Sequence, residues 1–489
     1  MRRLTSQDAM FLAIEDERTV LSVSALAIID SARADGSRLT REDIIAVIEE
    51  RLHLLPPLRW TLAPVPFKLG HPTWVDGDVD LDFHVRELAL PPPGDRARLE
   101  AQVARLAAHP MDHSRPLWEV YLIHGLDHGR VALLTKLHHA AVDGVSGAEI
   151  MSIIFDPSPE GRSLPPAPRH RPEKRPGQTT LMVRGVGSTL RRTLTSAPAA
   201  GRAVSNLDQN VVARSIPGAR HVGELARRAQ VWREQDPRLL NNPQMVTPRT
   251  RFNDKISRRR RFSMVSLPMA PVRDLKNDHE TTVNDVIVAV CAGALRRWLA
   301  ANDELPSDPL VAAIPVSIRA AQGQGAFGNE VGALAVPLPT NEPDPVQRLL
   351  QCRDELRVAK DRYQAVPATL MRDSTDLIPP MLFGRATRSL VQLGSNPALH
   401  PLVNLVISNV PGPRVPLYCA GTQVREMYPV STLGDSLGLN ITIFSYLDQL
   451  NIGLLADARL VPDLPDLAQA IRDELDLLVT ESDLSGTEA

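Results

Sequence analysis

The chain has 489 residues, about three times a ~150-residue domain, and can bury a large core without disulfides or a structural metal. Hydrophobic residues at 43% and charged residues at 23% are ordinary for a globular protein, and no run of 18 apolar residues is present to span a bilayer. The net charge of −2 hides an asymmetry: residues 157–261 hold 22 Lys and Arg against 7 Asp and Glu, a net of +15 on an otherwise acidic body.

The chain starts basic, but the apolar run from Ala9 to Ile14 is too short for a signal sequence, and Glu15, Asp16 and Glu17 follow at once. Thr5, with Asp8 three residues on, reads as a helix N-cap. Ser22 to Ile29 is a strand-like apolar run, and Arg41 to Leu54 and Arg96 to Ala108 are amphipathic helices. Val120 to Ile123 and Val131 to Leu137 read as strands, and a helix begins at Ala148 after Gly147. Residues 157–177 are rich in Pro and Arg, a linker by composition, and residues 178–250 are basic and weakly patterned. From Phe252 the globular pattern returns, with a strand from Met264 to Leu267 and a long apolar helix from Val283 to Ala300. Val311 to Val316 reads as a strand and Pro345 to Gln364 as a helix. Leu402 to Val410, Gly438 to Tyr446 and Asn451 to Ala456 read as strands, the last two nearly a hairpin. The chain divides on this pattern into residues 1–156, a basic Pro-rich connector over 157–250, and residues 251–489. Strands and helices alternate without a regular βαβ rhythm, so an α/β fold with mixed sheets is expected.

Three cysteines, Cys291, Cys352 and Cys419, lie far apart with no CxxC pair, which excludes a disulfide scaffold and a zinc ribbon and fits a reducing cytoplasm. The basic middle segment points to an anionic partner: a membrane, a lipid surface or nucleic acid. No aromatic residues interleave the run from Arg258 to Arg261, so nothing supports base stacking and nucleic acid is not expected. The sharpest chemical feature is His138-His139-Ala140-Ala141-Val142-Asp143-Gly144, after an apolar strand. Side chains adjacent on a strand point to opposite faces, so one histidine is expected to face a cleft and the other to pack behind it. Asp143 can pair with an arginine or hold a histidine tautomer, and Gly144 lets the backbone turn. Two core histidines ahead of a loop would give the same pattern. A metal site is not expected, because the adjacent histidines diverge and no cysteine is near. Gly434-Asp435-Ser436-Leu437-Gly438 matches the nucleophile-elbow pattern, but a strand follows where that elbow needs a helix.

His138-His139-x-x-x-Asp143-Gly144 resembles the HHxxxDG signature of the chloramphenicol acetyltransferase-like superfamily, which includes condensation domains of peptide synthetases. Arg115-Pro116-Leu117-Trp118-Glu119 lies ahead of it. After it come Asn284-Asp285, Pro315-Val316-Ser317-x-Arg319, Gly328-Asn329 and Ser408-Asn409-Val410-Pro411-Gly412-Pro413. In that order the set resembles the bacterial wax ester synthase/acyl-CoA:diacylglycerol acyltransferase family over nearly the whole chain. The resemblance implies two chloramphenicol acetyltransferase-like α/β domains with an active-site tunnel between them. It implies an enzyme with no cofactor, taking acyl-CoA as substrate with diacylglycerol or a fatty alcohol. It makes His139 the general base, supported by His138, Asp143 and Gly144, with Asn284 and Asp285 structural near the domain contact. Trp118 reads as a core aromatic. The enzyme would work in the cytoplasm, peripherally on a membrane or lipid inclusion. A non-catalytic lipid-surface protein on the same fold, or an acyltransferase for another hydroxyl acceptor, is the alternative.

Overall fold

The computed structural model describes residues 2–68, 71–142, 144–168, 170–174, 176–177, 179–180, 246–317, 331–365 and 400–487. Most of the basic segment therefore lies outside the described residues, as do Asp143, Arg319, Gly328 and Asn329.

In the first half, β1 (Arg2–Arg3) leads into α1 (Ser6–Ile14), β2 (Ser22–Asp30) and α2 (Arg41–Arg51). Then come β3 (Trp60–Ala63), β4 (Thr73–Asp76), α3 (Leu81–His84), β5 (Val85–Ala89) and α4 (Arg96–Ala107). β6 (Trp118–His124), β7 (Arg130–His138) and α5 (Gly144–Ile154) complete it. The expected Thr5 cap is present: Asp8 N–H donates to Thr5 Oγ1, and Thr5 N–H to Asp8 Oδ2, both at 3.0 Å. The helix expected from Ala148 starts four residues earlier, at Gly144.

The second half holds β8 (Arg260–Pro268), α6 (Met269–Asp278), α7 (Val283–Ala301), β9 (Leu310–Ser317), β10 (Val331–Leu338) and α8 (Pro345–Ala365). It continues with β11 (Leu405–Val410), β12 (Tyr418–Cys419), β13 (Thr422–Val430), β14 (Leu439–Tyr446), β15 (Gln449–Asp457) and α9 (Leu464–Thr487). The near-hairpin is real: β14 and β15 pair antiparallel from Leu439–Ala456 to Tyr446–Gln449.

Two six-stranded sheets carry the molecule. One runs β12-β13-β2-β7-β6-β5 and the other β10-β9-β11-β14-β15-β8. Both are mixed, as the irregular rhythm predicts: β5 is parallel to β6, and β11 is parallel to both β9 and β14. The sheets do not divide where the linker does. Residues 418–430 leave the second half and add β13 to the first sheet, with Val430 opposite Ser24 of β2. A buried cluster runs through both halves, joining Leu26, Leu134 and Tyr121 to Phe262, Met264 and Tyr428.

An unpaired strand edge invites mispairing unless something covers it. β8 ends the second sheet, and α4 of the first half lies on it. Glu100 Oε1 accepts from Met264 N–H at 2.9 Å, and Arg96 donates to the Tyr428 hydroxyl at 2.7 Å. Helix and strand thus tie the halves together from both sides.

Candidate active site

β7 is the middle of the first sheet, with β2 on one side and β6 on the other, and is buried along almost its whole length. Its apolar run stops at His138, which is fully buried, while His139 lies beyond the strand and is half-buried. Backbone bonds on both flanks fix this end. His138 N–H donates to Leu117 O at 3.0 Å, and His139 N–H to Leu21 O at 2.8 Å. Ala141 and Val142 N–H groups both turn back to His138 O, which closes a tight turn carrying His139. Of the Pro116-Leu117-Trp118 stretch, it is Leu117 whose carbonyl meets the start of this turn. Trp118 is a core residue, as its sequence reading has it: its Nε1–H donates to Leu58 O at 2.8 Å and its ring stacks on His84 at 4.3 Å.

The end of α1 reaches both histidines. The Phe11 ring stacks on that of His139, centroids 4.3 Å apart and planes 22° from parallel. One turn on, at the C-cap, Glu15 Oε2 lies 3.1 Å from His138 Nε2 and 2.7 Å from His113 Nε2. Glu15 Oε1 also accepts from Leu21 N–H at 3.3 Å. Burial opposes charge on this carboxyl, but the hydrogen bonds from His113 and His138 outweigh burial and hold it well below the usual range. The hydrogen bond to Glu15 in turn raises His113.

The network assigns the His138 tautomer. Ala140 N–H donates to His138 Nδ1 at 3.0 Å, so the ring proton sits on Nε2 and points at Glu15. Glu15, His113 and His138 bring three ligand-type atoms within 4.8 Å of one another. The tautomer argues against a cation there, because Nε2 of His138 already carries the proton a metal would have to replace. This cluster is invisible in the sequence, since Glu15 and His138 are 123 residues apart and neither neighbour flags the other.

Behind the turn, Lys136 is completely buried on β7. Its Nζ donates to Leu106 O at 3.1 Å and to His109 O, capping the last turn of α4, with Glu119 at 3.7 Å. Burial lowers its pKa against the pull of Glu119. The hydrophobic reading of the strand passes over this buried lysine.

Asn284 and Asp285 open α7. Asp285 forms a capping box with Thr282, and Asn284 Oδ1 accepts from Asn409 Nδ2 at 3.3 Å. The capping box is local to the start of α7, while the Asn284–Asn409 bond joins α7 to the end of β11, all within the second half. Ser436 has a left-handed backbone (φ 68°), and β14 follows it from Leu439, so it lacks the helix a nucleophile elbow requires. Gly144 is the first residue of α5. Cys291, Cys352 and Cys419 are buried free thiols; burial raises all three, Cys291 and Cys419 to about 12.

Two mixed sheets joined by a crossing strand, with a histidine pair at the end of a central strand, define the class of condensation-domain-like folds. The first condensation domain of the calcium-dependent antibiotic synthetase superposes with a TM-score of 0.55 at 16% identity, covering 99% of this chain and 96% of that one. The starter condensation domain of rhizomide synthetase, solved with C8-CoA and Leu-SNAC, gives 0.56 at 14% over 99% and 94%. At those identities the likeness is one of fold. A tighter likeness names the family. The wax ester synthase/diacylglycerol acyltransferase from Marinobacter aquaeolei VT8 superposes at 0.67 with 28% identity, over 98% of this chain and all of that one. A provisionally named diacylglycerol O-acyltransferase of Mycobacterium tuberculosis H37Rv is 33% identical over 99% of this chain and 91% of its own length. The profile of the wax ester synthase/diacylglycerol acyltransferase catalytic domain matches residues 4–287, and that of its C-terminal domain residues 327–479. The chain belongs to the wax ester synthase/diacylglycerol acyltransferase family and is an acyltransferase.

Proposed function

We propose that the protein transfers the acyl group of a long-chain acyl-CoA directly to the hydroxyl of diacylglycerol or a long-chain alcohol, with His139 as general base. The observation that carries this reading is the state of His138. Both its ring nitrogens are committed, to Glu15 and to Ala140 N–H, so the proton transfer falls to its neighbour on the turn. A neutral alcohol is a weak nucleophile. His139 takes its proton as the new C–O bond forms, a contribution of typically ~10²–10⁴-fold. The tetrahedral intermediate then collapses, the C–S bond breaks, and the imidazolium returns the proton to the CoA thiolate. Holding both substrates together supplies much of the remaining acceleration.

No protein nucleophile enters this scheme. Enzyme incubated with acyl-CoA alone is expected to show no acyl adduct by mass spectrometry, on Ser436 or elsewhere, and Ser436→Ala is expected to keep its activity. The reading of the acceptor is tested by supplying diacylglycerol and a long-chain alcohol separately and identifying the lipid products. Triacylglycerol or wax ester formed in step with CoA release supports it. CoA released with free fatty acid as the only product would replace transfer by hydrolysis.

The acceptors partition into lipid, so the enzyme must meet them at an interface. Among the described residues no helix is long and apolar enough to cross a membrane. The net charge of +15 over residues 157–261 supports peripheral attachment to an anionic membrane or lipid-inclusion surface on the cytoplasmic side.

A further inference from the structure

We propose that Glu15 is a positioning residue for the acyl transfer, acting on the base His139 through His138; this rests on the reading of His139 as the base. Three bonds converge on one buried carboxylate: His138 Nε2–H, His113 Nε2 and Leu21 N–H. Each holds a different part of the turn. His138, kept with its proton on Nε2, presents Nδ1 to Ala140 N–H and so fixes the residue that follows His139. Leu21 is the residue whose carbonyl holds His139 N–H. Both flanks of His139 therefore trace back to the Glu15 side chain. The helix that delivers Glu15 also delivers Phe11, whose ring lies flat on that of His139. A base acts only if its nitrogen stays within hydrogen-bond reach of the proton it removes, and small displacements cost rate steeply.

The carboxylate also carries charge. An anion near the turn favours the imidazolium that His139 becomes when it takes the alcohol's proton, whereas an amide at the same place does not. His113 is the counter-cation on the other side of Glu15, and Lys136 and Glu119 lie behind His138 on β7 and β6. The arrangement thus separates two contributions, geometry and field, that substitutions can tell apart.

The test compares Glu15→Ala, Glu15→Gln and His139→Ala in the full chain, with steady-state CoA release, its pH profile and thermal unfolding. Glu15→Ala is expected to lower kcat about tenfold or more while the KM for acyl-CoA stays within about twofold, since the turn loosens but the thioester site does not. Glu15→Gln keeps an acceptor oxygen and is expected to recover part of kcat. In both variants the acid limb of kcat/KM moves to lower pH, because the neighbouring anion is gone. A folded Glu15→Ala with wild-type kcat and an unmoved acid limb overturns the proposal. Should Glu15→Ala fail to fold, Glu15→Gln decides alone: an acid limb that stays in place overturns it. Inactive His139→Ala beside unaffected Glu15 variants rejects the positioning role alone. An active His139→Ala rejects the base and the positioning role together.

Discussion

His113 is the partly exposed end of the Glu15 cluster, and its raised pKa makes the fold sensitive to pH in a defined direction. A group raised on folding stabilises fully below its ordinary pKa, ~6.5 for histidine, and loses that contribution as pH rises through the raised value. Glu15, held low, contributes above its ordinary value of 4.5 and loses its contribution only in strong acid. The pair is therefore at full strength between those limits. His113→Asn is expected to lower the melting temperature more at pH 6 than at pH 9; equal losses at both would remove the ion pair from the account. Lys136 gives a sharper case. Truncation to alanine strips the cap from α4 and leaves Glu119 buried without that partner, a change of about 3 kcal/mol or more. Denaturant unfolding of Lys136→Ala measures it, and a loss under about 1 kcal/mol would mean the lysine is dispensable.

At the scale of elements, the second half is locked where three helices meet. α7, α8 and α9 come together over a buried ion pair between Arg348 of α8 and Glu474 of α9. Gly293 on α7 leaves the room that Glu474 fills, for a Cβ there would overlap the carboxylate. Gly293→Ala is expected to cost about 1–3 kcal/mol by forcing the pair apart, read from the unfolding midpoint. Strands with continuous apolar runs, such as β2, β7 and β14, were legible in the sequence because burial on both faces needs no alternation. So was α7, whose Thr282 cap and long apolar pattern agree. The crossing strand β13 was not. Its sequence, from Thr422 to Val430, mixes Arg425 and Glu426 among apolar residues, and its partner β2 lies some 400 residues earlier. β3 and β4 are four-residue strands, too short for a period to show. The histidine pair was legible as a motif, but the tautomer of His138 was not, because Glu15 and His113 meet it only through the tertiary fold.

Across the whole molecule, the joint between the sheets is a close approach of backbones. Gly453 of β15 faces Pro429 of β13, and a Cβ would overlap the Pro429 carbonyl oxygen. Backbone cannot yield as a side-chain tip does, so Gly453→Ala is expected to cost more than Gly293→Ala, about 3 kcal/mol, and to lower activity in the protein that remains folded. The proposed attachment to lipid rests on the net charge of +15 over residues 157–261. If residues 157–261 hold the enzyme to lipid electrostatically, vesicle co-sedimentation falls as salt rises and requires anionic lipid; binding indifferent to both points instead to apolar insertion. These properties serve one chemical event, and the most direct measurement of it is CoA release from a long-chain acyl-CoA, with acceptor present, by His139→Ala and His138→Ala beside the wild type. Loss of about 10²-fold or more in folded His139→Ala, with a smaller loss in His138→Ala, is the predicted result. Equal residual rates in the two variants, or a His139→Ala enzyme as fast as wild type, would contradict His139 as the base.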